Sequence, residues 1–249
     1  MNILLAEADE IVDGCLILTD RRAEHIVKVL RADVGDTVRV GVVNGSKGSG
    51  VIEAITPKHP RSVRLRIRLQ ETAHVMPPID LILALARPIM MRRILSQATA
   101  LGVGRFYCIH ANRVEKSFWE ASLLDPDGYG EHLQQGLEQA VDTRMPEVHF
   151  FRRFKPFVED FLPTIDSEYH RKIIAHPDGN QTLGQVMTGV QGRVLLAIGP
   201  EGGWVEYEVD KFGDAGFVNC SLGERILKVD TAVVALHARI SQLLELEKR

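Results

Sequence analysis

Between Leu195 and Val209 the chain reads LLAIGPEGGWVEYEV, an apolar run, a glycine turn and an acidic helix start. Glycine turns at the carboxyl ends of strands commonly cradle phosphate. This one carries Glu201, Glu206 and Glu208 instead of lysine, serine or threonine. It lacks the G-x-x-x-x-G-K-[ST] spacing of a P-loop and the G-x-G-x-x-G of a dinucleotide turn. A helix N-terminus attracts anions, and three carboxylates beside it compete for that field. Gly199, Gly202 and Gly203 let the backbone take up positive φ and approach a ligand closely. A neutral or cationic ligand with an adenine-like face fits this turn better than a phosphate. S-adenosylmethionine, a sulfonium without phosphate, meets that description. The competing reading of the same residues is a plain strand-to-helix turn whose glutamates favour the helix dipole.

A second stretch, SLGERILKVDTA, runs from Ser221 to Ala232. Gly223 marks a turn, Arg225 and Lys228 offer positive charge, and Asp230 is placed to cap the last helix. The nine histidines are scattered without metal-ligand spacing, so no metal is expected.

Two kinds of element must position these turns. Before Pro77 the pattern is mostly β. CLILT and DTVRVGVV read as short strands, VNGSKGSG as a hairpin turn, and RSVRLRIRLQE alternates strictly. That alternation sets Arg64, Arg66 and Arg68 on one face and Leu65, Ile67 and Leu69 on the other. A single helix, DRRAEHIVKVLRA, stripes Ala23, Ile26, Val27 and Leu30 together, and Arg21, His25 and Lys28 on a basic stripe with Arg31 close by. Several short strands around one helix suggest a small barrel. After Pro78, apolar strands alternate with helices, PIMMRRILSQATALG starting at Pro88 and ending at Gly102. Such a series predicts a mostly parallel sheet covered on both faces, with ligands at the carboxyl ends of its strands. Both glycine turns fall there.

Composition excludes several classes. The chain has 249 residues, 45% hydrophobic and 25% charged, with a formal net charge of −3. No global basic signature for nucleic acid exists, although residues 1–70 carry 11 Lys or Arg against 9 Asp or Glu. Cys15, Cys108 and Cys220 are far apart and odd in number, reading as buried thiols in a reducing compartment. No apolar run approaches a membrane span and the N-terminus turns acidic too early for a signal peptide, so a cytosolic protein is expected.

Taken together, IGPEGGW and SLGERILKVDTA resemble the ribosomal RNA small subunit methyltransferase E family, of the SPOUT class. HIVKVLRADVGD near the front and ALGVGRFYCI and LEQAVDTRMPEV in the middle extend the likeness over nearly the whole length. Departures fall at Ala100, where the family has an acidic residue, at Arg87, where it has lysine, and at Asp142, where it has arginine.

The resemblance implies an α/β fold: a PUA-like, RNA-binding β-barrel over residues 1–73, then a SPOUT domain over 74–249 with a C-terminal trefoil knot around the cofactor. It implies methyl transfer from S-adenosylmethionine to N3 of a uridine in 16S ribosomal RNA, within the small subunit, by a metal-free homodimer. The turns Ile198–Gly203 and Ser221–Val229 would hold the cofactor. The residues implied are Leu196, Ile198, Gly199, Pro200, Gly202, Gly203, Ser221, Leu222, Gly223, Ile226, Leu227 and Val229. Arg225, Lys228 and Glu201 stand as catalytic candidates. Arg21, His25, Lys28, Arg31, Arg64, Arg66, Arg68 and Arg113 are the RNA-binding candidates. The rivals are a SPOUT-class enzyme acting on another rRNA or tRNA base, and a ribosome-associated RNA-binding protein without catalysis.

Overall fold

Strict alternation in the first 70 residues produces a six-stranded sheet, and the continuous apolar runs after Pro78 produce a parallel one. The computed structural model describes residues 1–58, 60–71 and 75–247. The boundary expected between residues 73 and 74 lies outside the described residues. The chain divides into a first unit of Met1–Val75 with Gln134–Met145 and a second of Met76–Leu133 with Pro146–Arg249.

In the first unit, β1 (Leu4–Ala6), β2 (Ile11–Val12), β3 (Cys15–Leu18), β4 (Thr37–Val42), β5 (Lys47–Thr56) and β6 (Ser62–Gln70) lie in the order β1-β4-β5-β6-β3-β2. Five strands and a helical segment feed one core, with Leu4, Leu16, Ile26, Val40, Ile52 and Leu65 among its members. A half-barrel wrapped on a helix provides that convergence. The helical segment begins as α1 (Arg21–Glu24), whose first turn is capped by Asp20 accepting the Arg22 N–H at 2.8 Å. It continues as a π-helical stretch, His25–Leu30. The wider π turn redistributes the expected stripe: Ala23 and Ile26 are buried, Val27 is half-buried, and Leu30 faces solvent. In β6, Val63, Leu65 and Ile67 point inward and Arg64, Arg66 and Arg68 outward. Leu69, expected on the inner face, is exposed near the strand end.

The segment Gln134–Met145 completes this unit. Buried Glu138 accepts both Arg21 guanidinium nitrogens, at 2.6 and 3.0 Å. Asp142, standing where the resembled family has arginine, pairs with Lys47 at 3.0 Å. Burial alone would raise the Asp142 carboxyl, but Lys47 and the Thr143 N–H hold it below its ordinary range.

In the second unit, β7 (Ile79–Ala84), β8 (Val103–Ile109), β9 (Glu147–Phe151), β10 (Arg171–Ala175), β11 (Gln181–Thr182), β12 (Val194–Ile198) and β13 (Val218–Ser221) form one sheet. Its order is β11-β13-β10-β12-β7-β8-β9, and every pairing is parallel. Every side chain of β7 and β12 is buried, as continuous apolar runs require of a sheet covered on both faces. Asp80 is the polar exception within β7; it accepts the Tyr169 hydroxyl at 2.6 Å and an Arg193 N–H, and burial raises its carboxyl.

The helices are α2 (Pro88–Leu101), α3 (Pro126–Ala140), α4 (Phe154–Pro156), α5 (Leu162–Ile165), α6 (Leu183–Met187), α7 (Glu206–Asp214) and α8 (Val229–Leu246). FKPFVEDFL, expected as one helix, becomes α4 and α5 flanking a π-helical stretch, Phe157–Phe161. Gly102 ends α2 at φ +88°, a conformation that disfavours any side chain. Val233, Leu236, Ile240 and Leu244 of α8 are buried within the chain itself.

Cys108 and Cys220 are buried, and burial pushes their thiols up to about 12 and about 11. Cys15, expected to be buried, is only partly so. Among the described residues no helix is long and apolar enough to cross a membrane. No group of three or more histidine, cysteine or acidic side chains is placed to hold a metal ion there.

Candidate functional site

Strands β13, β10 and β12 are neighbours in the second unit's sheet, although they are not consecutive in the chain. The loops leaving their carboxyl ends enclose a cavity of about 260 Å³, closed on one side by Val229, Ala232 and Leu236 of α8. Ala175, His176 and Pro177 come from the β10 loop. Ile198 through Trp204 come from the β12 turn, and Leu222, Gly223 and Arg225–Val229 contribute the third wall, Lys228 excepted. The volume sits just under the roughly 300–1,000 Å³ usual for ligand pockets, and the mouth is open.

Twelve of the residues singled out from sequence meet here: Ile198, Gly199, Pro200, Glu201, Gly202, Gly203, Leu222, Gly223, Arg225, Ile226, Leu227 and Val229. Three do not. Leu196 is buried inside β12, two residues short of the wall. Ser221 folds its hydroxyl onto its own turn, accepting the Gly223 N–H at 3.1 Å. Lys228 is exposed at the N-cap of α8 and lies outside the lining. That helix starts one residue earlier than Asp230 would set as its cap, and Asp230 instead accepts the Thr231 N–H at 2.9 Å in the first turn.

Sequence reading missed His176 and Trp204. The signal for the first was the turn-forming PDG at Pro177–Gly179 directly after an apolar strand. Trp204 closes the glycine turn from within. It is 3% exposed, and its ring packs edge-on against Phe212 with centroids 5.2 Å apart. A Cβ on Gly199 would stand 3.2 Å from the indole, so only glycine gives the ring this berth without displacement. Gly203 takes φ +73°, the second position where the turn demands glycine.

The acidic residues that made this turn unlike a phosphate loop separate into different jobs. The Glu201 carboxylate accepts the Arg87 backbone N–H at 3.2 Å and so anchors the turn to the start of α2. Glu208 is 2% exposed; it accepts the Val205 N–H at 3.0 Å, capping α7, and the Asn112 N–H at 2.6 Å, tethering the loop after β8. Glu206 remains exposed. The acidity is therefore largely architectural: two of the three carboxylates are spent on backbone donors. Arg113, on the loop that Glu208 tethers, donates to the Gly202 carbonyl.

Beside the cavity lies a polar cleft that shares two walls with it, His176 and Trp204. Its remaining lining includes Arg113, Asp178, Asp210 and Asn219. Two enclosed polar atoms on these linings, Trp204 Nε1 and Asn219 Oδ1, have no hydrogen-bond partner.

Of the RNA candidates in the first unit, Arg21 is committed to Glu138, Lys28 pairs with Glu24, and Arg66 pairs with Glu53 at 2.9 Å. His25 is half-buried, and Arg31 is exposed at φ +52° where the π-helical stretch ends. Arg64 and Arg68 are exposed on the outer face of β6 and make no ion pair among the described residues. The basic stripe on the helix is thus partly neutralised, while two of the three strand arginines stay available.

The sequence model of the RNA methyltransferase domain matches residues 74–241, and that of the RNA methyltransferase PUA domain matches residues 18–63. The ribosomal RNA small subunit methyltransferase E of Treponema pallidum is 32% identical over 239 residues, spanning 94% of this chain and 88% of the relative. The chain belongs to this methyltransferase family. A second member of the methyltransferase E family, from Borreliella burgdorferi, is 24% identical over 94% of this chain and 95% of its own. Among solved structures, the methyltransferase E of Neisseria gonorrhoeae bound to S-adenosyl methionine shares the fold at TM-score 0.79 and 21% identity, over 98% of both chains.

Proposed function

We propose that this chain transfers a methyl group from S-adenosylmethionine to N3 of a uridine in 16S ribosomal RNA. It would act in the cytosol as a homodimer on the small ribosomal subunit. The observation that carries the reading is the cavity wall. Apolar side chains (Ile198, Leu222, Leu227, Val229, Leu236) and glycine-turn backbone face the space, and no lysine is present. Such a wall suits a purine nucleoside and offers a polyphosphate almost nothing, Arg225 being the only Lys or Arg in the lining. The unpartnered Trp204 N–H adds a donor that a nucleoside cofactor can satisfy. The residues present therefore fit the adenosyl group, and the C-terminal knot of the resembled class would be built from these same loops.

When bound, the cofactor supplies an electrophilic methyl on its sulfonium. The chain's share is alignment and exclusion of water, and positioning of two reactants is worth roughly 7–11 kcal/mol of barrier. The three loops fix the cofactor's orientation, and Glu201 fixes one of those loops to α2. Uridine N3 must lose its proton, and a cation at the mouth stabilises the anion that forms. Arg225 on the rim has that role, with Lys228 three residues on. In the first unit, Arg64 and Arg68 with Arg66 would track the RNA backbone as the barrel's phosphate contacts.

Calorimetric titration with S-adenosylmethionine, using ATP and NAD as controls, tests the cofactor half. Selective binding is expected, and Gly202→Val should abolish it. A Cβ there would stand 3.0 Å from the Arg113 side chain, and the branched methyls would crowd the cavity wall. Methylation of small subunits lacking the modification, read as N3-methyluridine by mass spectrometry, tests the rest. Replacing Arg64, Arg66 and Arg68 together by Gln should flatten the salt dependence of RNA binding by about 2 in log–log slope, roughly 0.7 for each phosphate no longer neutralised. An unchanged slope would remove the strand face from the RNA site.

A further inference from the structure

The cavity accounts for an adenosyl group but leaves the other end of such a cofactor without partners. That end is an amino acid, carrying one carboxylate and one ammonium about three carbons from the sulfur. It needs hydrogen-bond donors with positive charge for the first and acceptors with negative charge for the second. The cavity lining is mostly apolar and has few such groups. The cleft next to it has both sets, and it is separated from the cavity only by His176 and Trp204, which line each.

We propose that this cleft is the subsite for the amino-acid end of the cofactor, an assignment that rests on the S-adenosylmethionine reading above. Two independent features support it. The first is charge: Arg113 offers a guanidinium, while Asp178 and Asp210 offer carboxylates in the same lining. A zwitterion matches that mixed lining; a simple anion or a simple cation matches only half of it. The second is a pair of enclosed polar atoms left without partners, which native chains rarely tolerate unless something fills the need. Trp204 Nε1 can only donate, and it lies beside Gly199 at the edge of the cavity, 3.2 Å from where a Cβ would stand. Asn219 Oδ1 can only accept, and it lies in the cleft lining. One unused donor suits a carboxylate, and one unused acceptor suits an ammonium. Trp204 itself is 3% exposed, so water does not readily serve its N–H. Arg113 already donates to the Gly202 carbonyl, which holds the guanidinium at the turn and leaves other N–H groups free to bind.

The test compares two ligands that share adenosine and sulfur and differ in the tail. S-adenosylhomocysteine has the amino acid; 5′-methylthioadenosine has only a methyl group in its place. Titration of the full chain should show the homocysteine compound binding at least about tenfold more tightly. Trp204→Phe keeps the ring against Phe212 and deletes the N–H, and Asn219→Leu deletes the acceptor. Each should weaken S-adenosylhomocysteine by about five- to tenfold and change methylthioadenosine by less than about twofold. Circular dichroism and the unfolding midpoint of each variant establish that it is folded. Equal affinity of the two ligands for the unaltered chain would overturn the subsite, and so would equal weakening of both ligands in the variants, which would place Trp204 and Asn219 against the adenosine. Variants that bind both ligands normally would overturn it as well. Binding of neither ligand to the unaltered chain would instead overturn the cofactor reading, and the subsite with it.

Discussion

Replacing Glu208 by alanine is expected to lower the free energy of unfolding by about 4 kcal/mol and to weaken cofactor binding at least tenfold. The carboxylate is almost fully buried and accepts two backbone N–H groups, from Asn112 at 2.6 Å and Val205 at 3.0 Å. Alanine strands both donors in an enclosed space, and each unsatisfied buried group costs roughly 1–3 kcal/mol. Against a total stability of about 5–15 kcal/mol, that is a large fraction. The binding loss follows from position. Val205 follows directly on the glycine turn, and Asn112 precedes Arg113, whose guanidinium holds the Gly202 carbonyl. Freeing both loops therefore disorders one wall of the cavity. Urea unfolding and calorimetric titration of the same preparation check the two effects. Glu208→Gln, which keeps one acceptor oxygen, should fall between alanine and the native residue. A destabilised variant with native cofactor affinity would show that the turn holds its shape without this tether.

The second large effect is a loss of stability in mild acid. His237 on α8 is 4% exposed, and its Nδ1 is 3.4 Å from the Ser241 hydroxyl. Burial outweighs the Gly102 backbone group beside it and lowers its pKa from the ordinary 6.5 to about 4. The unfolded chain therefore takes up a proton as pH falls through about 6.5, while the folded chain resists until about 4. Stability is fully present above pH 6.5 and is lost through that window, by about 3 kcal/mol in all. Asp80 bends the same curve the other way, because burial raises its carboxyl and the folded state then favours the protonated form at low pH. The comparison that isolates the imidazole is His237→Leu measured alongside the native chain. The difference between their unfolding free energies should shift by about 3 kcal/mol between about pH 7 and about pH 4. Parallel curves would mean that the buried imidazole does not govern this window.

Much of the architecture was legible because it rests on local periodicity. The alternation from Val63 to Arg68 needs only the two-residue repeat of a strand to send three aliphatic side chains in and three arginines out. The continuous apolar runs of β7 and β12 require burial on both faces, which only a parallel sheet between helices supplies. Pro88 and Gly102 mark the two ends of α2 by backbone chemistry alone. Errors arose where the local period changed. The π-helical stretch His25–Leu30 is one residue wider per turn in its hydrogen bonding, so a stripe drawn at ordinary helical spacing carried Leu30 to the wrong face.

Within the site, the sequence by itself determined the two glycine turns, because glycine at positive φ and an apolar strand ending in a turn are local properties. It also determined the absence of a phosphate-binding lysine. The tertiary structure alone decided that β10 lies between β12 and β13. This adjacency is set by burial and crossover, not by chain order, and it brings His176 to the same cavity as turns that follow it in the sequence. The partners of each charge were decided there as well. Glu201 and Glu208 look alike as acidic residues near a helix start, yet one meets the backbone of α2 and the other two loops within the same unit. Arg21 looked free on a basic stripe until Glu138, distant in the chain, closed on it. Charge is written in the sequence, but its satisfaction depends on which groups the fold brings within hydrogen-bond distance.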